Sequence, residues 1–319
     1  MSRVSMKPGG EKRFPKVLVT GGAGFIGSHL SRGLVSRGYK VSIFDNLSTG
    51  KLDGIKELLS PSGAEFIFGD ILNSEMVRKA CRSVDAVIHL AAIKDVQFSI
   101  QNPTITHQVN VVGTKNLLDA CVSSGVRRFL LVSTSAVYGD AKYLPVDEGH
   151  PLNPLSAYAS TKIQSETQCL ESESRSDMET RILRLFNVYG KSQGVDSYSG
   201  VITKFIDRIR SGNPAIIYGD GIQTRDFVNV KDVVGAITLA LEIDTVKSRV
   251  FNIGSGEAVR ILDLAKIVAE LEGESDKVIH EAGRSGEILQ SVADIRRAKN
   301  ELGFIPSIGL KNGLLELVS

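Results

Sequence analysis

Two tyrosines in this chain are each followed four residues later by a lysine, and this spacing can support proton transfer. On a helix, residues four apart lie on one face, so the ammonium can lie beside the phenol and stabilise its ionised form. At about 5 Å and an effective dielectric constant near 20, the attraction is roughly 3 kcal/mol, which lowers the phenol pKa from about 10 by about two units. Such a phenol can act as a general base towards a hydroxyl group.

The two pairs differ in the local structure that their sequence favours. Tyr138 is followed directly by Gly139-Asp140, a turn signal that interrupts a helix. Tyr158 and Lys162 lie in a helix-compatible stretch that begins after Ser156, a residue that can cap the helix. The second pair is therefore predicted to be the catalytic one.

Two hydroxyl side chains, Thr134 and Ser135, follow a predicted strand at 128–133. At the carboxyl end of a strand, a hydroxyl can bond a substrate oxygen and share the proton that moves to or from Tyr158. Hydroxyls at strand ends also cap turns, so the sequence leaves both roles open for each of them.

A glycine-rich turn near the N-terminus indicates a dinucleotide site. The apolar strand Val17 to Val19 is followed by Gly21, Gly24 and Gly27, a spacing that allows a sharp turn, close approach to a pyrophosphate and tight helix packing. The amino end of the next helix can then hold the phosphates through its backbone N–H groups. Asp45 ends the second apolar strand about 20 residues on, where its carboxylate would bind the ribose hydroxyls and repel a 2′-phosphate. The predicted cofactor is therefore NAD, favoured over NADP.

The composition argues against nucleic-acid and membrane partners. The chain has 319 residues with 38 Lys and Arg against 36 Asp and Glu, and its basic residues are interspersed with acids. Its apolar runs are shorter than the roughly 18 residues that a membrane span needs. Residues 1–14 lack the apolar core of a signal peptide and are predicted to be a flexible tail.

The cysteines and histidines are few and widely spaced. Three cysteines in helix-like stretches predict reduced thiols and a cytoplasmic protein, in which each thiol either packs in the core or is reactive. The five histidines show no spacing typical of metal ligands, so no metal site is predicted.

Short apolar runs alternate with amphipathic stretches, a pattern that predicts parallel strands joined by helices. Because the runs are almost continuously apolar, both faces of the sheet must be covered. The predicted fold is α/β: a doubly wound parallel Rossmann sheet with a smaller mixed C-terminal substrate lobe. The Rossmann domain is expected at 15–190, with 228–257 returning to it, and the nucleotide-sugar-binding lobe at 191–227 and 258–319. The predicted strands lie near 16–20, 40–45, 65–69, 86–90, 128–133 and 181–186, with a further core strand at 249–253.

In combination, these motifs resemble the extended short-chain dehydrogenase/reductase family, most closely its UDP-glucose and UDP-N-acetylglucosamine 4-epimerase group. The resemblance covers about residues 15–318. The matching segments are Thr20–Gly27, Asp45–Gly50, Gly69–Ile71, His89–Ala92, Asn110–Gly113, Tyr158 with Lys162, and Arg184–Gly190.

The resemblance implies a catalytic set of Thr134, Tyr158 and Lys162, and an NAD site along the carboxyl ends of the strands. Asp70 and Ile71 would lie around the adenine. The implied cofactor-binding residues are Gly21, Gly24, Phe25, Ile26, Gly27, Asp45, Asn46, Ser48, Thr49, Gly50, Asp70, Ile71, Leu90, Ala91, Ala92, Lys94, Asn110, Tyr158, Lys162 and Val188.

The resemblance also implies a nucleotide-diphosphate site in the second lobe, where Arg225 and Arg284 would each bind phosphate as a charged fork. Ser291 aligns with the position that gates hexose size in this family, and its small side chain leaves room for an N-acetyl group. The implied substrate-binding residues are Lys94, Thr134, Ser135, Tyr158, Asn187, Val201, Tyr218, Arg225, Arg284, Glu287 and Ser291.

The implied activity is reversible inversion at carbon 4 of a UDP-hexose through a transient 4-keto sugar, with UDP-Glc/UDP-Gal and also UDP-GlcNAc/UDP-GalNAc as substrates. A UDP-glucuronate epimerase or decarboxylase is an alternative that the sequence leaves open. A nucleotide-sugar dehydratase would need an acid pair after Thr134, where this chain has Ser135-Ala136. A non-catalytic NAD-sensing protein is the alternative from another class.

The apolar helices near 104–123 and 156–173 resemble those through which members of this family form a homodimer. A helix buried in the interior would show the same pattern.

Overall fold

A computed structural model describes residues 13–60, 63–194, 200–274, 277–283 and 288–319. The strands are β1 (Lys16–Thr20), β2 (Lys40–Asp45), β3 (Ala64–Phe68), β4 (Ala86–His89), β5 (Arg128–Thr134), β6 (Glu179–Leu185), β7 (Asn187–Tyr189), β8 (Ala215–Tyr218), β9 (Thr224–Arg225), β10 (Phe227–Asn229), β11 (Val250–Ile253), β12 (Val259–Arg260) and β13 (Val278–Glu281). The helices are α1 (Phe25–Ser36), α2 (Ser74–Ala80), α3 (Val96–Gln101), α4 (Pro103–His107), α5 (Gly113–Ser124), α6 (Ala157–Ser174), α7 (Val201–Arg210), α8 (Val230–Glu242), α9 (Ile261–Leu271) and α10 (Leu310–Val318).

The central sheet has seven parallel strands in the order β11-β6-β5-β4-β1-β2-β3. The predicted strands near the six positions given above are confirmed, as is the core strand expected at 249–253, which is β11. The strand order reverses between β1 and β4, so the connections from their carboxyl ends diverge and open a crevice there. The doubly wound parallel fold is confirmed.

Helices cover both faces of this sheet. On one face, α1 packs against α8, and their apolar residues, including Leu30 and Ile237, share a core with the sheet. On the other face, α2, α5 and α6 cover a second core that contains all three cysteines, Cys81, Cys121 and Cys169. Each thiol is free and buried, which confirms the packing role.

A separate apolar cluster lies among the elements that follow the sheet. It joins α7, α9 and β8, and includes Phe205, Leu264 and Leu314. Strand β13 extends this region by pairing in parallel with β8. The lobe boundaries at 191–227 and 258–319 stay a prediction.

The flexible tail predicted at 1–14 extends too far, because residues 13 and 14 belong to the folded structure. Phe14 is buried in the first core, and the guanidinium of Arg128 lies 4.5 Å from the centre of its ring. Arg13 forms an ion pair with Glu179 at 3.2 Å. Residues 1–12 lie outside the described part of the chain. The prediction failed at Phe14 because its partners come from distant strands and cannot be seen in the local sequence.

Across the described ranges, no helix combines the length and apolar character needed to span a bilayer.

Candidate active site

The turn between β1 and α1 is shaped for close approach of a ligand. Gly21 has φ +67°, and a Cβ there would lie 2.7 Å from the backbone nitrogen of Ala91. A Cβ on Gly27 would lie 2.2 Å from the carbonyl oxygen of Gly21. Helix α1, which is described in full, has Gly24 as its N-cap, with no side-chain cap and no acidic residue in its first turn. The turn therefore presents backbone and a helix amino end, which fits a pyrophosphate.

Asp45 ends β2 with its carboxylate in a fixed orientation. Its Oδ2 accepts a hydrogen bond from the backbone N–H of Ala23 at 3.0 Å, and its Oδ1 accepts one from Leu47 at 2.8 Å. Next to it, Asn46 donates to Asp70 Oδ2 at 3.0 Å and so connects the ends of β2 and β3. The predicted ribose and adenine residues therefore meet at one edge of the sheet. Residues Ser48, Thr49 and Gly50 lie in the loop that leaves β2.

Asn110 holds the segment that follows β4. Its Oδ1 accepts from the backbone N–H of Ile93 at 2.8 Å, and its Nδ2 donates to the Ile93 carbonyl at 2.9 Å. The other hydrogen of Nδ2 goes to Thr161 Oγ1 at 3.0 Å. Both amide hydrogens are thus used within the protein, so Asn110 supports the predicted cofactor residues Leu90, Ala91, Ala92 and Lys94 through the backbone.

A π-helical turn at Gln108–Val112 carries Asn110 and separates α4 from α5. The helix predicted near 104–123 is therefore continuous but distorted. Such turns occur often at functional sites, because the inserted residue redirects a side chain out of the regular helical pattern.

Thr134 and Tyr158 come together at the carboxyl end of β5. The Thr134 side chain accepts a hydrogen bond from the backbone N–H of Ala136 at 3.2 Å, and its hydroxyl lies near enough to the Tyr158 phenol to lower the pKa of that phenol. The capping role is confirmed, and the substrate role of Thr134 stays a prediction. The predicted cap is confirmed, since Ser156 Oγ accepts from the N–H of Ala159 at 3.1 Å and starts α6. Ser135 begins a short 3₁₀ turn directly after Thr134.

The expected direction of the Tyr158 pKa shift is wrong in this structure. Burial raises the pKa of Tyr158 to about 12, and the hydrogen bond with Thr134 opposes that shift. Lys162 is also buried and donates from Nζ to the Val132 carbonyl at 2.7 Å. Burial lowers the pKa of Lys162 to about 8, with the nearby charge of Glu166 acting against it. The lowered pKa expected from the sequence assumed a partly solvated helix surface. Tyr158 and Lys162 are instead buried, where the charged form of each is disfavoured.

The other Tyr-x-x-x-Lys pair does not form a site. Tyr138 ends the 3₁₀ turn and is buried; its hydroxyl donates to Asn252 Oδ1 at 2.6 Å and accepts from Arg184 Nη1 at 3.0 Å. Gly139 follows with φ +63°, and Lys142 is exposed. The prediction that a turn separates this pair is confirmed.

Asp226 connects the predicted substrate residues and was missed in the sequence. Its backbone carbonyl accepts from Asn187 Nδ2 at 3.2 Å, and its Oδ2 accepts from the backbone N–H of Ala293 at 3.1 Å. It follows Arg225 directly, and the half-buried Ser291 lies two residues before Ala293. The one sequence signal was its position beside an arginine.

The remaining predicted residues are three described ones and two that are not described: the substrate residues Tyr218 and Val201, the cofactor residue Val188, and the substrate residues Arg284 and Glu287. Tyr218 ends β8 and Val201 begins α7, and both are half-buried. Val188 lies in β7, paired with Val228 of β10. The predictions for Arg284 and Glu287 lie outside the described residues.

A buried ion pair lies behind the catalytic candidates. Arg184 Nη2 is 2.6 Å from Glu166 Oε2, and Ser133 Oγ donates to Glu166 Oε1. Sequence reasoning missed Glu166, although it follows Lys162 by four residues and so lies on the same face of α6. In the part of the chain that the structure describes, no three His, Cys, Asp or Glu side chains cluster as a metal site would require.

Comparison with known proteins shows which families and proteins this chain is similar to. The family model described as NAD dependent epimerase/dehydratase family matches residues 17–254. A putative UDP-glucose 4-epimerase of Methanocaldococcus jannaschii is 39% identical over 95% of this chain and 97% of that protein. UDP-glucuronic acid decarboxylase 1 of Arabidopsis thaliana is 34% identical over 97% of this chain and 70% of that protein.

A solved structure has the same fold over nearly its whole length. It is the UDP-N-acetylglucosamine 4-epimerase of Methanobrevibacter ruminantium in complex with UDP-N-acetylmuramic acid. It superposes with a TM-score of 0.90 at 34% identity, covering 97% of this chain and 98% of that one.

Proposed function

This chain belongs to the NAD-dependent epimerase/dehydratase family, and on that premise we propose that it is a UDP-hexose 4-epimerase with NAD as its cofactor. The observation that carries the proposal is that Thr134, at the carboxyl end of β5, lies beside Tyr158 of α6, on the same sheet edge as the glycine turn. The relatives matched over nearly their whole length include a putative UDP-glucose 4-epimerase and, with the same fold, a UDP-N-acetylglucosamine 4-epimerase.

The residues of the crevice fit NAD. Gly21 and Gly27 keep side chains out of the turn where a pyrophosphate would approach the backbone, and the amino end of α1 has no side-chain cap. Asp45 has lone pairs left for ribose hydroxyls after its two backbone hydrogen bonds. A 2′-phosphate would meet that carboxylate, so NAD is favoured over NADP.

Tyr158 would take the proton from the 4-hydroxyl of the sugar and return it after inversion. Bound NAD would supply a hydride acceptor and donor, so there is no net oxidation. The neighbouring Thr134 hydroxyl lowers the pKa of the phenol, and Thr134 would also orient the sugar hydroxyl. Lys162, fixed by the Val132 carbonyl, would hold the cofactor ribose and add positive charge. The 4-keto sugar would rotate and present its other face to the hydride, while its diphosphate stays bound to Arg225, Arg284 and Asn187.

The same family includes enzymes that catalyse other reactions on nucleotide sugars. The Arabidopsis relative makes a UDP-glucuronate decarboxylase the second candidate. A dehydratase is less well supported, because Ser135-Ala136 stands where it would need an acid pair. A non-catalytic NAD sensor would retain the fold without turnover.

One assay separates these functions. Purified protein is incubated separately with UDP-Glc, UDP-GlcNAc and UDP-glucuronate, and the products are separated by chromatography. UDP-Gal and UDP-GalNAc would support the proposal. A UDP-pentose with release of CO₂ would indicate the decarboxylase, a 4-keto-6-deoxy sugar the dehydratase, and unchanged UDP-sugars the sensor.

We propose that Ser291 admits an N-acetyl group. Its neighbour Val292 accepts from the backbone N–H of Val146 at 2.9 Å, so the backbone there is fixed and a larger side chain could not easily move away. Ser291→Tyr is expected to lower kcat/KM for UDP-GlcNAc by about 100-fold or more while UDP-Glc turnover is largely kept. Both substrates are measured in the same preparation, with Ser291→Ala as the control that keeps the space. Equal losses on both substrates would contradict the proposal.

We further propose a cytoplasmic homodimer in which residues 191–227 and 258–319 form the nucleotide-sugar lobe. The separate apolar cluster around α7 and α9 supports the lobe, and the three buried free cysteines support a reducing compartment. Large apolar side chains remain exposed on α3 and α4, which pack against α6, and these support the dimer.

Charge placed on this apolar surface should separate the subunits. Ile100 is 54% exposed and Ile105 is 48% exposed. The double variant Ile100→Glu/Ile105→Glu is expected to sediment as a monomer, because an interface core excludes unpaired charge. Ile305→Glu, at a residue 66% exposed elsewhere, is the control and should stay dimeric. A wild-type monomer, or a double variant that remains a dimer, would contradict the prediction.

A further inference from the structure

We propose that Glu166 is a positioning residue whose buried carboxylate keeps the Lys162 ammonium charged and in place. This role rests on the proposed function, in which Lys162 holds the cofactor and supports Tyr158. Glu166 would act through Lys162 and not by contact with the cofactor or the substrate.

The two side chains lie one turn apart on the buried face of α6. Lys162 and Glu166 are each 4% exposed. The Lys162 ammonium donates to the carbonyl of Val132 at 2.7 Å, and the next residue of β5, Ser133, donates its hydroxyl to Glu166. Two successive residues of one strand therefore hold the ammonium and the carboxylate, each through its own hydrogen bond.

A buried ammonium needs a negative neighbour to remain charged, because burial removes its hydration. The titratable groups whose charge acts on Lys162 are His89 from β4, together with Glu166 and Cys169 from α6. Tyr158 lies one helical turn before Lys162 on α6. Burial lowers the pKa of His89 to about 3, so that ring is neutral. Burial raises the pKa of Tyr158 to about 12 and raises that of Cys169 as well, so both are neutral near pH 7. Of these four groups, Glu166 supplies the negative charge.

Arg184, from β6, forms a buried ion pair with Glu166. Its guanidinium binds the carboxylate through Nη2 at 2.6 Å and through Nε at 3.1 Å to the other oxygen. Burial alone would lower the pKa of Arg184, but the hydrogen bonds and charge of Glu166 outweigh this and raise it. Lys162, Glu166 and Arg184 thus form a buried row of alternating charges, with Arg184 continuing to the Tyr138 hydroxyl at 3.0 Å.

The direct test measures the protonation of Lys162 by NMR in protein labelled with ¹³C and ¹⁵N at lysine, the signal being assigned by its loss in Lys162→Met. Glu166→Gln is expected to lower the Lys162 pKa by about one unit or more. The alkaline limb of the pH profile of kcat should move to lower pH by the same amount, while kcat below that limb changes little. Glu166→Asp keeps the charge and should restore most of the wild-type profile.

Glu166→Gln leaves the Arg184 guanidinium buried without its carboxylate and could fail to fold. A second variant keeps the test valid in that case. The double variant Glu166→Gln/Arg184→Met removes both charges and is expected to be more stable than Glu166→Gln alone. Its Lys162 pKa should still be below that of the wild type. If Glu166 is merely structural, melting temperatures will fall while the Lys162 pKa and the alkaline limb stay unchanged, and the inference is overturned.

The NMR measurement needs no turnover, so the two proposals can fail separately. A lowered Lys162 pKa in protein that converts no UDP-sugar would remove the proposed epimerase activity and leave the coupling of Glu166 to Lys162 standing. An unchanged pKa in an active epimerase would overturn the role of Glu166 alone.

Discussion

Tyr158→Phe is expected to lower kcat and kcat/KM together by about 10²- to 10⁴-fold, the contribution typical of a general acid and base. The ring is retained, so the packing around it should be preserved. What is lost is the hydroxyl that bonds to Thr134 and would exchange the sugar proton. Initial rates on UDP-Glc give the loss, and calorimetric titration with NAD and UDP tests whether binding is kept.

Tyr143→Phe is the matched control. That tyrosine is 45% exposed, and its hydroxyl donates to Asp147 at 3.0 Å away from the crevice. Its removal should leave the rate unchanged. Wild-type rates in Tyr158→Phe would mean that another group moves the proton, and the assignment of the catalytic pair would have to be abandoned.

The sequence was informative where local chemistry decides the structure. The strands of the sheet are mostly apolar runs, and such runs are typical of strands that are covered on both faces. The turn after β1 was visible because Gly21 has a positive φ that other residues adopt only with strain. Ser156 was recognised as a cap because its contact lies three residues away, with the N–H of Ala159.

The electrostatics of the site could not be read from spacing. The Tyr158–Lys162 spacing correctly placed both residues on one helix, but the sign of the Tyr158 pKa shift depends on burial, which neighbouring strands and helices determine. Glu166 was likewise within reach of a spacing argument, whereas its partner Arg184 comes from a different strand. Phe14 was assigned to a tail because Arg128, which lies over its ring, is far away in sequence.

The pyrophosphate turn provides the prediction with the largest expected effect on cofactor binding. A Cβ on Gly27 would lie 2.2 Å from the Gly21 carbonyl oxygen and 2.6 Å from the Gly22 Cα. Both are backbone atoms, so α1 can accept a methyl group only by moving away from the turn. Gly27→Ala is therefore expected to lower the free energy of unfolding by about 1–3 kcal/mol. Strain of that size, acting against the turn that would hold the pyrophosphate, corresponds to NAD binding about 5- to 150-fold weaker.

Gly235→Ala is the control for the general effect of alanine in a helix. Gly235 lies inside α8, and a Cβ there would meet nothing within 4 Å. This variant should gain about 0.5–1 kcal/mol of stability and bind NAD normally, because alanine loses less backbone freedom on folding. Urea unfolding and NAD titration are run on both variants. Normal NAD affinity in Gly27→Ala would show that the first turn of α1 can shift without cost, and the pyrophosphate could not then depend on its present position.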